Sequence, residues 1–193
     1  LYQHAWGFSA AMLTIIFAAY AFALLCSLLI AGRMSDYVGR RPVIATALLL
    51  EIAAMLCFLF AATPYALIAA RIVQGFATGL ATAAVGAALL DVHQERGALI
   101  NSITPLLGMA AGAVLSCALV VYQWAPLQNG YLLLLGLFIL LLVATALTPE
   151  TGKIRPGAWA SLRPSVTVPP QARTAFWPVS YTHLRAHETD QYL

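Results

Sequence analysis

The sequence predicts an all-α membrane protein, and three observations carry that prediction. Hydrophobic residues make up 62% of the 193 residues and charged residues only 9%, far below the roughly 25% of a soluble domain. Five apolar stretches reach the roughly 20 residues that a membrane-spanning helix needs. None of them shows the alternating pattern of a barrel strand, so helices are the way to satisfy the backbone in hydrocarbon.

The five predicted spans follow one another with short connections. They are Ser9–Ala31, Pro42–Ala62, Tyr65–Leu90, Gly97–Val121 and Asn129–Thr148. Ser9 suits the N-cap of the first span, and Pro42 suits the first turn of the second. Thr63 and Pro64 predict a tight turn between the second and third spans. Residues 1–8 are expected to form an outer loop.

The positive charges predict the orientation. The odd-numbered spans are followed by Arg33, Arg40, Arg41, Arg96, Lys153, Arg155, Arg163 and Arg173, whereas the connections after the even-numbered spans hold no Lys or Arg. Because Lys and Arg concentrate on the cytoplasmic side, the connection Gly32–Arg41 is predicted to be cytoplasmic, in a cell (inner) membrane. The net charge of +3 therefore reports topology, and no nucleic-acid partner is expected.

The C-terminal part has a different composition. Four prolines exclude a long helix in residues 152–177, so this stretch is expected to be a cytoplasmic linker. Residues 178–193 resemble translated sequencing-adapter read-through, and we expect this tail to be non-native. Its histidines His183 and His187, spaced like metal ligands on a helix, are set aside with it. No metal, cofactor or catalytic residue is expected, and the chain, which starts at Leu1 without Met, is expected to lack its true N-terminus.

The connection Gly32–Arg41 combines glycines, an acid and an arginine pair. A positively charged turn explains the arginines but not Asp36. We expect Gly32 and Gly39 to let helix ends approach closely, and Asp36 to pair with Arg40 or a helix N-terminus. Gly-x-x-x-Asp-x-x-Gly-Arg-Arg between two spans resembles the signature loop between helices two and three of the major facilitator superfamily. The resemblance implies a cytoplasmic gate.

Arg71 is a charged residue inside the third span, about 9 Å from its outer end at 1.5 Å per residue. An intramembrane arginine marks a cavity or a paired site, and snorkelling to the interface is the alternative. Arg71-x-x-Gln74-Gly75 resembles the fourth-helix motif of the same superfamily. That resemblance implies an arginine facing the central pathway with a part in proton coupling. Gly75, Gly79 and Gly86 equally suit close helix packing.

The fourth and fifth spans carry weaker signals. Gly108, Gly112 and Ser116 form a face of small residues suited to helix packing. This face resembles the fifth-helix motif of drug:proton antiporters, although Ala113 stands where that motif has proline. After the fifth span, Pro149-Glu150-Thr151 resembles the Pro-Glu-Thr ending of helix six in the superfamily. Sugar porters have a related ending but lack the equivalent of the fourth-helix glutamine.

Glu51 is the acid in the middle of the second span. A carboxyl there is kept neutral or paired, which makes it a candidate for proton relay. A structural hydrogen bond, or a contact with Arg71, is the alternative. In the next predicted cytoplasmic connection, Asp91, Glu95 and Arg96 echo the first loop, or are simply solvated charges.

The resemblance implies five transmembrane helices of a truncated N-terminal six-helix half, helices two to six of the twelve-helix major facilitator fold. The implied function is secondary active transport, with proton-coupled efflux of small, partly apolar compounds by alternating access in the lipid bilayer. An uptake permease for a small metabolite, and a non-transporting membrane sensor, remain alternatives. An enzyme is not expected, because no His or Asp accompanies Glu51 and Arg71 within the spans.

Overall fold

The computed structural model describes residues 9–121 and 126–152, and nearly all of this part is helical. The helices are α1 (Ala10–Val38), α2 (Arg40–Leu59), α3 (Pro64–Val92), α4 (Gln94–Val121) and α5 (Pro126–Leu147). Stretches long and apolar enough to cross a membrane are Ala11–Ile30, Arg40–Leu59, Pro64–Val92, Gln94–Leu119 and Gln128–Leu147. The predicted all-α, multi-pass membrane architecture is confirmed.

Three predicted segments lie wholly or almost wholly outside the described residues. These are the outer loop at residues 1–8, the linker at 152–177 apart from Gly152, and the tail at 178–193. Their assignments remain predictions.

The prediction of a ten-residue loop at Gly32–Arg41 is wrong. Helix α1 continues through Val38, α2 begins at Arg40, and Gly39 alone connects them. A glycine inside a helix costs only about 1 kcal/mol, so Gly32 does not end α1. The break falls at Gly39, where the backbone adopts φ 105° and ψ 158°. The residues of the signature motif therefore lie mostly in the end of α1 and the start of α2, and Gly39 is the single residue between them.

The connection between α3 and α4 is equally short, which corrects the prediction of a charged loop there. Asp91 belongs to the last turn of α3, Glu95 to the first turn of α4, and only His93 lies between the two helices. A Cβ added at Gly97 would lie 2.6 Å from the carbonyl carbon of Leu89. The glycine therefore lets the start of α4 fold back directly against the end of α3.

The turn between α2 and α3 agrees with the sequence. The Thr63 hydroxyl accepts a hydrogen bond from the Ala66 N–H at 3.2 Å, and Pro64 occupies the first turn of α3. Ser9 caps α1 in the same way, accepting from the Met12 N–H at 3.3 Å. Both N-caps satisfy backbone donors that the first turn of a helix leaves free.

Helix α3 is the centre of the bundle, packing on α1, α2 and α4, while α2 also packs on α5. Two buried clusters fill the bundle. One, near the Thr63 turn, contains Ile16, Ala54, Met55, Phe58, Leu67 and Ala70. The other, nearer Gly39, contains Val43, Ala47, Leu80 and Ala84. Many large apolar side chains face outward, as a lipid-facing surface requires.

Candidate functional site

Gly39 occupies a conformation that other residues rarely adopt. Its φ of 105° and ψ of 158° fall in a region that is essentially restricted to glycine. A Cβ at this position would also lie 2.8 Å from Glu150 Oε2. The backbone angle therefore requires glycine, and any larger residue would also displace the Glu150 carboxylate.

Glu150 caps the N-terminus of α2 from the far end of the described chain. Its Oε1 accepts from the Arg40 N–H at 2.8 Å and its Oε2 accepts from the Arg41 N–H at 3.1 Å. The Gly152 N–H adds a bond of 2.8 Å to Oε1. A carboxylate placed on free N–H groups at the positive end of a helix is a favourable arrangement.

The hydrogen bonds at Glu150 change its acidity. Burial alone would raise the pKa of this carboxyl, but the backbone N–H groups of Gly152, Arg40, Arg41 and Thr151 outweigh it, so the pKa is lowered from its usual value. The carboxylate form therefore holds the segment after α5 on the first turn of α2.

Arg40 joins the ends of three helices through its side chain. Its Nη1 lies 2.5 Å from Asp36 Oδ1 on α1, and its Nε lies 2.9 Å from Asp91 Oδ2 on α3. Nη1 also donates to the buried hydroxyl of Ser35 at 2.7 Å. The side chain of Arg40 is 11% exposed, whereas those of Asp36 and Asp91 are 50% and 35% exposed. We call Asp36, Arg40 and Asp91 the charge triad.

Arg41 completes this end of the bundle. Its Nη2 donates to the carbonyl of Ala146 in the last turn of α5. A cavity of about 220 Å³ lies beside it between α2, α3 and α5, with a mainly apolar lining that includes Ile44, Val85 and Leu89. Arg40 and Arg41 thus connect α2 to every other described helix except α4.

Arg71 has an amide and two aromatic rings as neighbours. Its Nη1 donates to Gln74 Oε1 at 2.8 Å. The guanidinium carbon lies 5.5 Å from the ring centroid of Phe17 on α1 and 5.2 Å from that of Phe58 on α2. Phe58 in turn stacks on Tyr131 of α5 with centroids 5.1 Å apart. These cation–π contacts stabilise a cation in apolar surroundings.

Glu51 lies apart from Arg71 in the α2–α3 interface. The residue is 7% exposed. Its Oε1 lies 2.7 Å from the Thr78 hydroxyl, which is also 2.9 Å from the Gln74 carbonyl oxygen. Its Oε2 is buried and has no hydrogen-bond partner among the described residues. Of the two alternatives to proton relay, the contact observed is the structural hydrogen bond.

Gly75 and Gly79 of α3 lie in the contact with α1, whereas Gly86 faces Asn101 of α4. A Cβ added at Gly75 would lie 3.1 Å from the Ala23 Cβ, and one at Gly79 would lie 2.6 Å from the Ser27 Cβ. The Ser27 hydroxyl, fully buried, donates to the Phe76 carbonyl at 2.6 Å. Small residues thus bring α1 and α3 into backbone contact.

Gly108 and Gly112 on α4 lie in a different environment. A Cβ added at either position would meet no atom within 4 Å in the part of the chain that the structure describes. The face of small residues predicted on α4 is therefore exposed here, and its role as a packing surface stays a prediction.

Sequence reasoning missed three polar partners. The sequence predicts Asp91 only as part of a charged connection, and its place on the last turn of α3 is what brings it to Arg40. Glu150 stands out in the sequence only through the Pro-Glu-Thr resemblance, and nothing local indicates that it caps a helix more than 100 residues away. Thr78 carries no signal of its own. Each depends on contacts between distant helices.

Comparisons with known proteins agree with this architecture. The family model described as Major Facilitator Superfamily matches residues 1–184. Multidrug resistance protein MdtL of Klebsiella pneumoniae strain 342 is 30% identical over 168 residues, covering 81% of this chain and 43% of the relative. The protein of the same name from Citrobacter koseri is 30% identical over 125 residues, covering 62% of this chain and 32% of the relative. The chain thus spans less than half the length of these relatives. It belongs to the Major Facilitator Superfamily of membrane transporters.

Proposed function

We propose that the complete protein exports small, partly apolar compounds across a cell (inner) membrane in exchange for protons. The relatives named multidrug resistance proteins support the export of such compounds. The observation that carries the proposal is the environment of Arg71. This guanidinium sits within a membrane-spanning helix, and the described residues offer it an amide and two rings rather than a carboxylate.

The charge on Arg71 is the basis of the proposed coupling. A guanidinium without an acidic partner favours the ionised form of any carboxyl that approaches it, and thereby favours release of a proton from that carboxyl. In an alternating-access cycle, such an approach links proton release to conformation. Gln74 accepts a hydrogen bond from one side of the guanidinium, and the rings of Phe17 and Phe58 lie against it.

The charge triad forms the proposed gate. Two acids that are 50% and 35% exposed pair with an arginine that is 11% exposed. Both acids keep contact with water, which can replace Arg40 as their partner, so the pairs can break and reform. The triad would hold the ends of α1, α2 and α3 together in one state of the transport cycle. Gly108 and Gly112 supply an open face for the opposing half.

The orientation is proposed from the distribution of charge. The end of the bundle that contains Gly39 also contains Arg33, Arg40, Arg41 and Arg96 by position in the chain. The opposite turn, around Thr63, contains no Lys or Arg. The asymmetry favours a cytoplasmic location for the Gly39 end.

The test is efflux from cells expressing the full-length gene, followed with a fluorescent apolar dye, with and without an uncoupler that collapses the proton gradient. We expect efflux by the wild-type protein to depend on the proton gradient and this dependence to be lost in Arg71→Gln. The matched control Arg96→Gln should keep both the efflux and its dependence on the gradient. Arg96 lies in the first turn of α4, at the very end of that span, and is exposed, so its replacement should leave the pathway intact. Efflux that persists after the gradient collapses contradicts proton exchange. Equal activity of wild type and Arg71→Gln contradicts the assignment of Arg71.

A further inference from the structure

The hydroxyl of Thr78 has two oxygen neighbours and only one hydrogen to give. It lies 2.9 Å from the carbonyl oxygen of Gln74, one turn earlier on α3, and 2.7 Å from Glu51 Oε1 on α2. Both distances are those of real O–H···O hydrogen bonds. A carbonyl oxygen only accepts, and so does an ionised carboxylate. With an ionised Glu51, one of the two contacts would bring two acceptors together without a proton between them.

A protonated carboxyl resolves this conflict. Thr78 then donates to Gln74, as threonine hydroxyls in helices commonly do, and accepts a hydrogen bond from the Glu51 acid group. All the protons are accounted for, because each donor has one acceptor. We propose that Glu51 is a neutral carboxylic acid whose proton is held between α2 and α3 and donated to Thr78.

The other carboxyl oxygen points to the same conclusion. Oε2 of Glu51 is buried with no hydrogen-bond partner among the described residues, and the whole residue is only 7% exposed. An ionised carboxylate with an unpartnered buried oxygen is far more costly than a neutral acid with an unpartnered carbonyl oxygen. The surroundings of this oxygen therefore suit the neutral group.

Within the described part of the chain, no charged neighbour offsets the cost of burying an ionised carboxylate at Glu51. Of the helices packed on α2, α3 carries Arg71, whose guanidinium lies over Phe58, about 10 Å along the α2 axis from Glu51 at 1.5 Å per residue. Helix α5 carries no charged residue. Titratable or charged groups elsewhere on these helices are Tyr20, Cys26, Arg33, Asp36 and Tyr37 on α1, Tyr65 and Asp91 on α3 and Tyr131 on α5. Asp36 and Asp91 pair with Arg40 at the other end of α2.

The proton on Glu51 fixes the position of neighbouring groups on α3 through a chain of hydrogen bonds. Thr78 connects Glu51 to the Gln74 carbonyl, and the Gln74 side chain accepts from Arg71. Glu51 is thus a positioning residue for the helical turn that carries Arg71 and Gln74. In this assignment the proton stays in the packed α2–α3 interface and is not the one exchanged during transport.

Infrared difference spectroscopy on the full-length protein tests the protonation directly. Subtracting the Glu51→Gln spectrum from the wild-type spectrum at neutral pH should reveal the carbonyl stretch of a protonated carboxylic acid. Thr78→Val should keep that band but shift its frequency, because the acid loses its acceptor. A difference in the carboxylate stretching region instead, or a band unmoved by Thr78→Val, overturns the proposal.

A transport measurement is the second test. This test depends on the proposed function, whereas the infrared test does not. Glutamine carries an N–H donor where the acid carries O–H, so Glu51→Gln should keep the wild-type rate and proton coupling. Uncoupled efflux in Glu51→Gln would show that the proton is exchanged and would overturn the positioning role. If the wild-type protein shows no proton-driven efflux, the proposed function fails, while the infrared result still decides the protonation of Glu51.

Discussion

Replacing Gly39 by alanine tests the helix junction that the structure places at the proposed gate. The backbone at Gly39, with φ 105° and ψ 158°, lies in a region where a side chain costs about 1–3 kcal/mol. The added methyl would also lie 2.8 Å from Glu150 Oε2 and 3.0 Å from its Cδ, so Glu150 must move away. Losing that cap from α2 costs about 0.5–2 kcal/mol more.

The two costs together predict that Gly39→Ala lowers the free energy of unfolding by about 1.5–5 kcal/mol. The assay is unfolding of the full-length protein in mixed micelles by titration with a denaturing detergent, followed by circular dichroism. Gly136→Ala is the matched control, because its Cβ would meet no described atom within 4 Å. Alanine is favoured over glycine inside a helix by up to about 1 kcal/mol, so the control should be neutral or slightly stabilised.

A double-mutant cycle separates the two costs. In a Glu150→Ala background the collision disappears, so Gly39→Ala should lose about 0.5–2 kcal/mol of its effect and keep the backbone strain. The reasoning is refuted if Gly39→Ala is as mild as Gly136→Ala. If the cost of Gly39→Ala is the same with and without the Glu150 side chain, the collision is refuted and only the strain remains.

Three further predictions concern single contacts. The pKa of Glu150 is lowered in the folded protein, so the ionised carboxylate stabilises the fold at pH values above the ordinary glutamate pKa of about 4.3. This stabilisation is lost as the pH falls from about 4.3 through the lowered pKa of the folded protein. Unfolding titrations over that acid range should therefore show a smaller loss of stability in Glu150→Gln than in wild type, and parallel curves would contradict the cap. Ser27→Ala removes the buried bond to the Phe76 carbonyl and should lower the free energy of unfolding by about 0.6 kcal/mol, measured in the same detergent titration; an unchanged value would show that the bond makes no net contribution. Gly108→Ala should slow dye efflux while Gly136→Ala does not, if the open face of α4 packs against the opposing half, and equal efflux would argue against that packing.

The architecture could be predicted from the sequence because hydropathy and length alone decide which segments cross a membrane. The structure has five candidate spans, as the sequence predicts, and the predicted ends differ from the helix ends by a few residues where a local cap such as Thr63 marks them. The exception is the end of α1, which the sequence predicts at Ala31 and the structure places at Val38. The polar residues favour a loop there, but Asp36 continues the helix because nothing in the backbone stops it before Gly39.

The site was only partly accessible from the sequence. The pairing of Asp36 with Arg40 follows from their spacing of four residues, which puts both on one side of a helix end. The capping by Glu150 and the bond from Glu51 to Thr78 join residues 110 and 27 positions apart, so they depend on how whole helices pack. Hydrophobic patterns define which face of a helix is buried in lipid or protein, but they do not set the axial offset between two helices.

The one-residue connections have a mechanical consequence. Gly39 alone connects α1 to α2, and His93 alone connects α3 to α4. At this end the two helices of each pair therefore cannot move far apart. The opposite end is looser, since four residues lie between Leu59 and Pro64. A displacement of α1 at the Gly39 end is therefore passed directly to α2, whereas the four-residue turn at Thr63 leaves α2 and α3 more freedom to separate.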